Sequence, residues 1–245
     1  MKIEAILTPA ELPALARRDV RGAACVVFDV LRATSTFVTA LRNGAKAVIP
    51  AAEISEALAI RKNQPDVLLA GERDGVKIRA AQTGGTDFNL GNSPREFTPE
   101  TVRGRTIVST TTNGTRALRA CARAQTILAG SFLNLGATAE FIKKIQPARV
   151  LLVCAGTREN AALEDMLAAG ALCELLVGEA SDVVEIVRRA YAQAKSDLAA
   201  AVRNSENARH LLAIPELRDD VAFCLQRDIF PLVARMEADG VIRRQ

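Results

Sequence analysis

Short apolar runs alternate with amphipathic stretches along most of the chain, a pattern that predicts strands alternating with helices. The clearest run, AACVVF at 23–28, is apolar throughout and stops at Asp29, as is typical of a strand buried on both faces of a parallel sheet. Further strands are predicted near 3–7, 47–50, 67–70, 107–108, 126–129 and 149–154. Helices are predicted between them near 35–42, 55–63, 115–123, 135–145 and 161–177. The alternation indicates an α/β fold with a mostly parallel sheet, which a few antiparallel strands could make mixed.

Two parts of the chain depart from this alternation. Between residues 75 and 105, glycine and proline break every period, while embedded phenylalanine and leucine indicate a packed loop, which could also serve as a lid. After residue 179 the pattern is almost entirely helical: 179–202, 204–212, and a tail from 217 to 238 that is predicted to be helical up to Pro231 and again after it.

No linker rich in proline, glycine or serine divides the chain. The stretches VVFDVLRATSTFVTAL, TIVSTTTNGTRAL and LLVCAGTRENAALEDML share one design of apolar strand, polar loop and helix start. This echo fits an internal duplication, but any parallel sheet produces the same pattern. We therefore expect residues 1–245 to form a single α/β unit, or two closely packed subdomains with the site between them.

The row STTTNGT at 109–115 is the most unusual stretch of the chain. It lies between a predicted strand and a predicted helix, so it forms a turn rich in hydroxyl groups and backbone N–H groups at the positive end of a helix. Such a turn is suited to binding an anion, above all phosphate. The alternative is a polar turn whose Asn113 or Thr115 only caps the helix.

The amino-acid composition limits which kinds of molecule the protein is expected to bind. The net charge is +4, basic residues are scattered, and aromatic residues make up 4% of the chain with no tryptophan, so nucleic acid is a poor candidate and a small anionic substrate a better one. No apolar run is long enough to cross a bilayer, and the N-terminus lacks the shape of a signal peptide, so we expect a cytoplasmic protein without membrane partners.

The five cysteines have no Cys-x-x-Cys spacing, which argues against a structural zinc site or a disulfide framework. Cys154 ends a predicted strand beside a helix start, so a phosphatase with a cysteine nucleophile is an alternative, although a buried structural cysteine is favoured. His210 is the only histidine and is interpreted as a satisfied core or surface residue.

Two further polar loops follow predicted strands and join the threonine row at the edge where ligands bind in parallel sheets. In the first, Asp29 could hold Mg²⁺ and Arg32 could clamp a phosphate; the alternative is an Asp–Arg ion pair that packs the helix start. In the second, which begins at Cys154, Glu164 and Asp165 could be metal ligands or a general base, or could only compensate the helix dipole. Glu72 closes another strand and belongs to the same edge.

Six stretches together resemble the 2-phosphosulfolactate phosphatase family, the magnesium-dependent phosphatases of coenzyme M biosynthesis. They run in the expected order along nearly the whole chain: VVFDVLRATST at 26–36, AGERDGVKI at 70–78, FNLGNSPREF at 88–97, STTTNGTRAL at 109–118, VCAGTRENAALEDMLAAGAL at 153–172 and DDVAFCLQRDIFP at 219–231. The resemblance implies a three-layer α/β/α protein that uses Mg²⁺ to hydrolyse the phosphate monoester of a sulfonated hydroxy acid.

The resemblance also implies a set of site residues. Catalytic roles are expected for Asp29, Arg32, Glu164 and Asp165, and metal binding for Asp29, Glu72 and Asp165. Phosphate or substrate binding is expected for Asn92, Ser93, Thr111, Thr112, Asn113 and Thr115. The residues themselves add Thr110 and Gly114 of the threonine row, and Arg158, which could grip a sulfonate or carboxylate. Three questions stay open: whether water attacks directly or Asp29 first forms an aspartyl phosphate, whether the chain only binds phosphorylated metabolites without catalysis, and whether it forms a homodimer.

Overall fold

The computed structural model describes all 245 residues and confirms the α/β fold. The strands are β1 (Lys2–Ile6), β2 (Ala23–Phe28), β3 (Ala47–Pro50), β4 (Leu68–Arg73), β5 (Val76–Lys77), β6 (Thr106–Thr110), β7 (Thr126–Gly130), β8 (Arg149–Cys154), β9 (Glu179–Ala180), β10 (Ala234–Met236) and β11 (Ile242–Arg244). The helices are α1 (Leu12–Arg17), α2 (Ala33–Arg42), α3 (Ile54–Asn63), α4 (Ala80–Thr83), α5 (Pro99–Val102), α6 (Gly114–Ala120), α7 (Leu135–Ile145), α8 (Leu163–Leu175), α9 (Asp182–Ala194), α10 (Leu198–Val202), α11 (Glu206–Leu212) and α12 (Arg218–Cys224).

All eleven strands belong to one mixed sheet, in the order β5-β4-β6-β3-β11-β10-β7-β2-β8-β1-β9. Strands β4, β6 and β3 form one parallel block, and β7, β2, β8, β1 and β9 form a second. The hairpin of β10 and β11 joins the blocks through three antiparallel pairings, so the two blocks run in opposite directions along the sheet.

Loops from both blocks nevertheless line one cavity: those after β4 and β6 in the first block and those after β2 and β8 in the second. The sequence-based argument from a single edge of a parallel sheet does not hold as stated, because the two blocks are antiparallel to one another. The polar loops that it brought together do lie close in the structure.

Alternating residues of the central strands separate the core into layers. Along β2, Cys25 and Val27 face a cluster that also contains residues of α1, α2 and α6, while Val26 and Phe28 face a second cluster built with α7, α8 and α9. A smaller third cluster packs α3 and the segment after β5 on the outer face of β4 and β6. Helices therefore cover both faces of the sheet, which confirms a three-layer α/β/α architecture.

Most predicted elements are present, but the prediction for the end of the chain is wrong. No helix follows Pro231; the residues there form β10 and β11, the hairpin that completes the sheet. The segment 75–105 is a packed loop as expected: it contains only β5, α4, α5 and a 3-10 turn at Pro94–Glu96, and buries Phe88 and Phe97.

None of the helices combines the length and the apolar character needed to cross a bilayer.

Candidate active site

A cavity of about 240 Å³ lies where the carboxyl ends of the two parallel blocks meet. Its lining is almost entirely polar and comprises Asp29, Leu31, Arg32, Glu72, Asp74, Gly75, Asn92, Thr112, Asn113, Gly156, Thr157, Arg158, Glu206, Asn207, His210 and Leu211. Contributions come from the loops after β2, β4, β6 and β8, from the packed loop 75–105 and from α11. Seven of the residues expected from the sequence line this cavity: Asp29, Arg32, Glu72, Asn92, Thr112, Asn113 and Arg158.

Asp29 stands directly after β2 and is held by the first turn of α2. Its Oδ1 accepts a hydrogen bond of 2.9 Å from the backbone N–H of Ala33, while its own N–H donates to the hydroxyl of Thr34 at 3.0 Å. Its Oδ2 accepts no hydrogen bond from the protein. The side chain is only 8% exposed, so one oxygen of a nearly buried carboxylate is left for a partner from the cavity.

Gly114 brings the loop after β6 against this carboxylate. A Cβ at this position would lie 2.6 Å from Asp29 Oδ2 and 2.7 Å from the Cβ of Ala33, so only glycine permits the approach. The sequence-based role of Gly114 was to bind the anion itself; in the structure it does not line the cavity but allows two loops to touch.

Glu72 connects β4 with the threonine row. Its Oε1 accepts from the N–H of Thr112 at 2.9 Å and from its hydroxyl at 3.0 Å, and its Oε2 accepts from the N–H of Gly75 at 2.8 Å. Both oxygens of Glu72 therefore hold protein groups in place, and the carboxylate is fixed in orientation at the cavity wall.

The other side chains of the threonine row make hydrogen bonds within the protein. The Thr110 hydroxyl accepts from Arg73 at 3.1 Å, and the Thr115 hydroxyl donates to the carbonyl of Thr111 at 3.1 Å. Asn113 donates to the carbonyls of Ala155 (2.9 Å) and Arg158 (3.0 Å), which ties the loop after β6 to the loop after β8. Of the row, only Thr112 and Asn113 line the cavity, and Asn113, at the N-cap of α6, makes no side-chain hydrogen bond to that helix.

Arg32 is 2% exposed, and its partner is not Asp29. Its Nη1 donates to Asp220 of α12 at 2.7 Å, and its Nη2 donates to the carbonyl of Gly75. The proposed alternative of a local Asp29–Arg32 ion pair is therefore not what the structure contains. Since a guanidinium has five N–H donors, Arg32 retains donors for a ligand in the cavity that it lines.

Glu164 and Asp165, at the start of α8, are both buried, but they differ in how many of their carboxylate oxygens accept hydrogen bonds. Asp165 accepts from the N–H of Val30 at 2.8 Å and from the N–H of Gly156 at 3.0 Å, so both of its oxygens organise the loops after β2 and β8. Glu164 accepts from Asn207 at 2.7 Å through Oε1, while its Oε2 is buried without a hydrogen-bond partner. Neither side chain lines the cavity directly.

The adjacent residues Asn92 and Ser93 also differ in whether they line the cavity. Asn92 lines the cavity, and its Oδ1 is buried without a hydrogen-bond partner. Ser93 lies outside the lining and donates to Asp220 at 2.7 Å. Buried polar atoms without partners are rare in folded proteins and call for an explanation such as an ion or a ligand.

Nine of the sixteen lining residues lie outside the expected set, among them Asp74 and Gly75 of the β4–β5 turn, and Asn207 and His210 of α11. His210 Nε2 lies 2.9 Å from the carbonyl of Asp74, and Asn207 also donates to the Thr157 hydroxyl at 2.6 Å. Helix α11 thus forms part of the cavity wall. No residue pattern in α11 signals this position, because it depends on how a distant helix packs.

The carboxylates of the site repel one another in a poorly solvated environment. Burial raises the pKa of Asp29 to about 7, and the charges of Glu72 and Glu164 add to the increase against the hydrogen bond from Ala33 and the charge of Arg32. Burial and the charges of Asp29 and Glu164 raise the pKa of Asp165 well above its ordinary value. The region therefore carries more negative charge than its protein partners neutralise, an arrangement that favours a bound cation.

No three acidic, histidine or cysteine side chains converge closely enough to hold a metal ion by themselves. Mg²⁺, however, is commonly bound by one or two carboxylates together with water and substrate phosphate. The free Oδ2 of Asp29 and the unpartnered Oε2 of Glu164 and Oδ1 of Asn92 are oxygen donors of the kind that Mg²⁺ prefers.

Cys154 is fully buried beneath the loop after β8 and does not line the cavity. Burial, with the charge of Asp165, raises the pKa of its thiol well above the ordinary value. A thiolate nucleophile needs the opposite environment, so the geometry disfavours the cysteine-phosphatase alternative.

Comparison with known proteins gives a consistent result. The family model for 2-phosphosulpholactate phosphatase matches residues 6–239 of the chain. A protein of Caldanaerobacter subterraneus subsp. tengcongensis, named probable 2-phosphosulfolactate phosphatase, is 40% identical over 234 residues, which is 92% of each chain. Proteins with the same name from Thermotoga maritima and Clostridium acetobutylicum are 42% identical over 209 residues (85% of this chain, 86% of the other) and 33% identical over 239 residues (95% and 96%).

Proposed function

The chain belongs to the 2-phosphosulfolactate phosphatase family, and from this premise we propose that it hydrolyses the phosphate monoester of 2-phosphosulfolactate, or of a closely related phosphorylated hydroxy acid, with Mg²⁺. One observation carries the proposal: the cavity combines the unpartnered Asp29 Oδ2 with the guanidinium of Arg32, two opposite charges that a metal ion and a phosphate would require.

The donor set fits Mg²⁺. Asp29 and Glu164 each offer one carboxylate oxygen without a hydrogen-bond donor, and Asn92 offers an amide oxygen. Asp29 and Asn92, which line the cavity, are the proposed metal-binding residues, and Glu164, outside the lining, adds negative charge beside them. Both oxygens of Glu72 and of Asp165 accept from backbone N–H groups, which makes these two residues supports for the site. When bound, Mg²⁺ would neutralise charge on the phosphoryl oxygens.

Arg32 would be the main donor to the phosphate, through its remaining N–H groups. Thr112 and Asn113 form the neighbouring wall of the cavity, where the N–H and hydroxyl of Thr112 already donate to Glu72 and the side-chain amide of Asn113 to two carbonyls. Because these groups are fixed by Asp220, Glu72 and the loop after β8, little reorganisation is needed as charge develops on the phosphoryl group.

Asp29 is suited to either of two roles in the reaction. As a carboxylate with a raised pKa, it could take a proton from a water molecule that attacks phosphorus and displaces the hydroxy acid. Alternatively, Asp29 itself could attack phosphorus, displace the hydroxy acid by breaking its P–O bond, and form an aspartyl phosphate that water then hydrolyses. A trapped or radiolabelled phosphoenzyme that is absent from Asp29→Asn would select the second role.

Arg158 is the proposed contact for the sulfonate or carboxylate of the substrate. Its side chain is 74% exposed and lies 3.5 Å from Glu206 in a surface ion pair at the cavity mouth. Exposed ion pairs contribute little stability, so exchange of Glu206 for an anionic substrate group costs little.

The test is phosphate release from 2-phosphosulfolactate and from a panel of phosphorylated hydroxy acids, with Mg²⁺ and with EDTA. Release that requires Mg²⁺ and is lost in Asp29→Asn but kept in Asp66→Asn, an exposed aspartate far from the cavity lining, supports the proposal. Release that survives EDTA would refute the metal-dependent reaction. Saturable binding without release under any condition would leave a phosphometabolite-binding protein.

A further inference from the structure

Helix α12 contains a carboxylate that the proposed reaction does not use. Asp220 is fully buried, has 0% exposure, and lies outside the cavity lining. Its Oδ2 accepts from Arg32 Nη1 at 2.7 Å, and its Oδ1 accepts from the Ser93 hydroxyl at 2.7 Å. A buried charge costs free energy unless specific partners compensate it. The hydrogen-bonded partner is Arg32, the arginine of the candidate active site, and the half-exposed Arg95 adds a longer ion pair of 3.6 Å to Oδ1.

The contacts of Arg32 continue this connection across the cavity wall. Its Nη2 donates to the carbonyl of Gly75, while the N–H of Gly75 donates to Glu72, whose other oxygen holds Thr112. Asp220 and Gly75 together therefore fix two edges of the guanidinium plane. The remaining donors of Arg32 have only a narrow range of directions left to them.

We propose that Asp220 is a positioning residue, which fixes the guanidinium of Arg32 so that its free N–H groups meet the phosphoryl group. The inference rests on the proposed function. Asp220 itself does not touch the ligand; it acts through Arg32, and Ser93 holds Asp220 in turn. Asp220, in the stretch at 219–231, and Ser93, in the stretch FNLGNSPREF, therefore act together on Arg32, a connection that neither stretch suggests by itself.

A merely structural buried ion pair predicts a different behaviour. In that case, loss of the Asp220 charge lowers stability but leaves the folded fraction with unchanged affinity for phosphate. If Asp220 orients Arg32, the folded variant binds phosphate more weakly, because a small displacement of a fixed donor is costly for a site that depends on position.

The experiment measures binding of inorganic phosphate by isothermal titration calorimetry, and separately the kcat and KM of phosphate release. Asp220→Asn keeps the shape of the side chain and removes its charge. Asp219→Asn is the matched control: it lies on the same helix turn, is 66% exposed and pairs with Arg95 at 3.3 Å but not with Arg32. The expected result is a Kd for phosphate raised by about tenfold or more in Asp220→Asn and unchanged in Asp219→Asn.

A double-mutant cycle with Arg32→Lys tests whether the effect passes through the guanidinium. Residues that act through one another show non-additive effects, so Asp220→Asn should change phosphate binding little in the Arg32→Lys background. Full additivity of the two changes, or an unchanged Kd in folded Asp220→Asn, would overturn the positioning role.

Removal of one member of a buried ion pair can prevent folding, and Ser93→Ala covers that case. This variant keeps both charges but releases one oxygen of Asp220. We expect its phosphate Kd to rise about threefold, as for the loss of one ordinary hydrogen bond, and an unchanged Kd would refute the inference.

The two readouts separate the two proposals. Phosphate binding that depends on Asp220, without hydrolysis of 2-phosphosulfolactate by the wild-type protein, would refute the proposed function alone. Hydrolysis by the wild type, with unchanged phosphate binding in Asp220→Asn, would refute the positioning role alone. A wild-type protein that neither binds phosphate nor hydrolyses 2-phosphosulfolactate would overturn both.

Discussion

Replacement of Asp29 by asparagine should inactivate the protein and at the same time make its metal-free form more stable at alkaline pH. Asp29 is nearly buried, and burial together with Glu72 and Glu164 raises its pKa from the ordinary 3.8 to about 7. The folded state therefore favours the protonated form. An asparagine reproduces that neutral form and can still accept the hydrogen bond from Ala33.

The magnitude follows from proton linkage. Because the folded pKa is raised, the stability contributed by protonated Asp29 is fully present below pH 3.8 and is lost as the pH rises to about 7. A pKa difference of one unit corresponds to about 1.4 kcal/mol, so the whole change amounts to about 4 kcal/mol, of which about 3 kcal/mol falls between pH 5 and pH 8. The asparagine variant does not undergo this loss.

Urea denaturation in EDTA at pH 5 and pH 8 provides the assay. The free energy of unfolding of Asp29→Asn minus that of the wild type should rise by about 3 kcal/mol between the two pH values. Asp66→Asn, at an exposed position, should show no such pH dependence. A difference between Asp29→Asn and wild type that stays constant across this range would refute the reasoning.

Added Mg²⁺ should stabilise the wild type more at pH 8 than at pH 5, because the cation competes with a proton for the Asp29 carboxylate. The variant should gain little at either pH. An equal gain for both proteins would place the metal elsewhere.

Three other substitutions test the remaining parts of the site. Gly114→Ala should lower kcat by about a hundredfold while the circular dichroism spectrum stays unchanged, since the new Cβ would lie 2.6 Å from Asp29 Oδ2 and displace it; unchanged kinetics would mean that the loop shifts without affecting the carboxylate. Cys154→Ala should leave kcat of the folded protein unchanged, because the thiol is buried outside the cavity, and a loss of turnover would revive the cysteine mechanism. Arg158→Ala should raise KM by about tenfold with kcat unchanged, as for the loss of one charge-assisted hydrogen bond, whereas Arg116→Ala on the adjacent surface should not; equal effects would make the change one of general electrostatics.

Much of the fold could be predicted from the sequence, because a hydrophobic pattern depends only on residues close together along the chain. The apolar run of β2 and its stop at Asp29 mark a buried strand and the residue that follows it, whatever the rest of the chain does. The end of the chain was predicted wrongly for the opposite reason. The stretches around β10 and β11 are three residues each, too short for a period to emerge, and they become strands only because β7 and β3 offer open edges on either side.

The candidate site shows the same difference between what the local sequence predicts and what only the fold decides. The polar loops after predicted strands indicated Asp29, Arg32 and Glu72, and the threonine row indicated Thr112 and Asn113, all of which line the cavity. Neither of these sequence signals could show that the Thr115 hydroxyl donates to the backbone of its own turn. A hydroxyl in a polar row is equally suited to binding a ligand and to binding a neighbouring carbonyl.

The sequence by itself determined the strands, the turns that follow them and the residue types that can bind a phosphate and a metal ion, because these depend on neighbours along the chain. Only the tertiary structure decided which of these groups are free and which are occupied. Asp165 and Glu164 are adjacent in sequence, yet one carboxylate is saturated by backbone N–H groups and the other keeps an unpartnered oxygen. Likewise, Arg32 has Asp220 as its ion-pair partner, 188 residues away in sequence, because the packing of α12 brings these distant segments together.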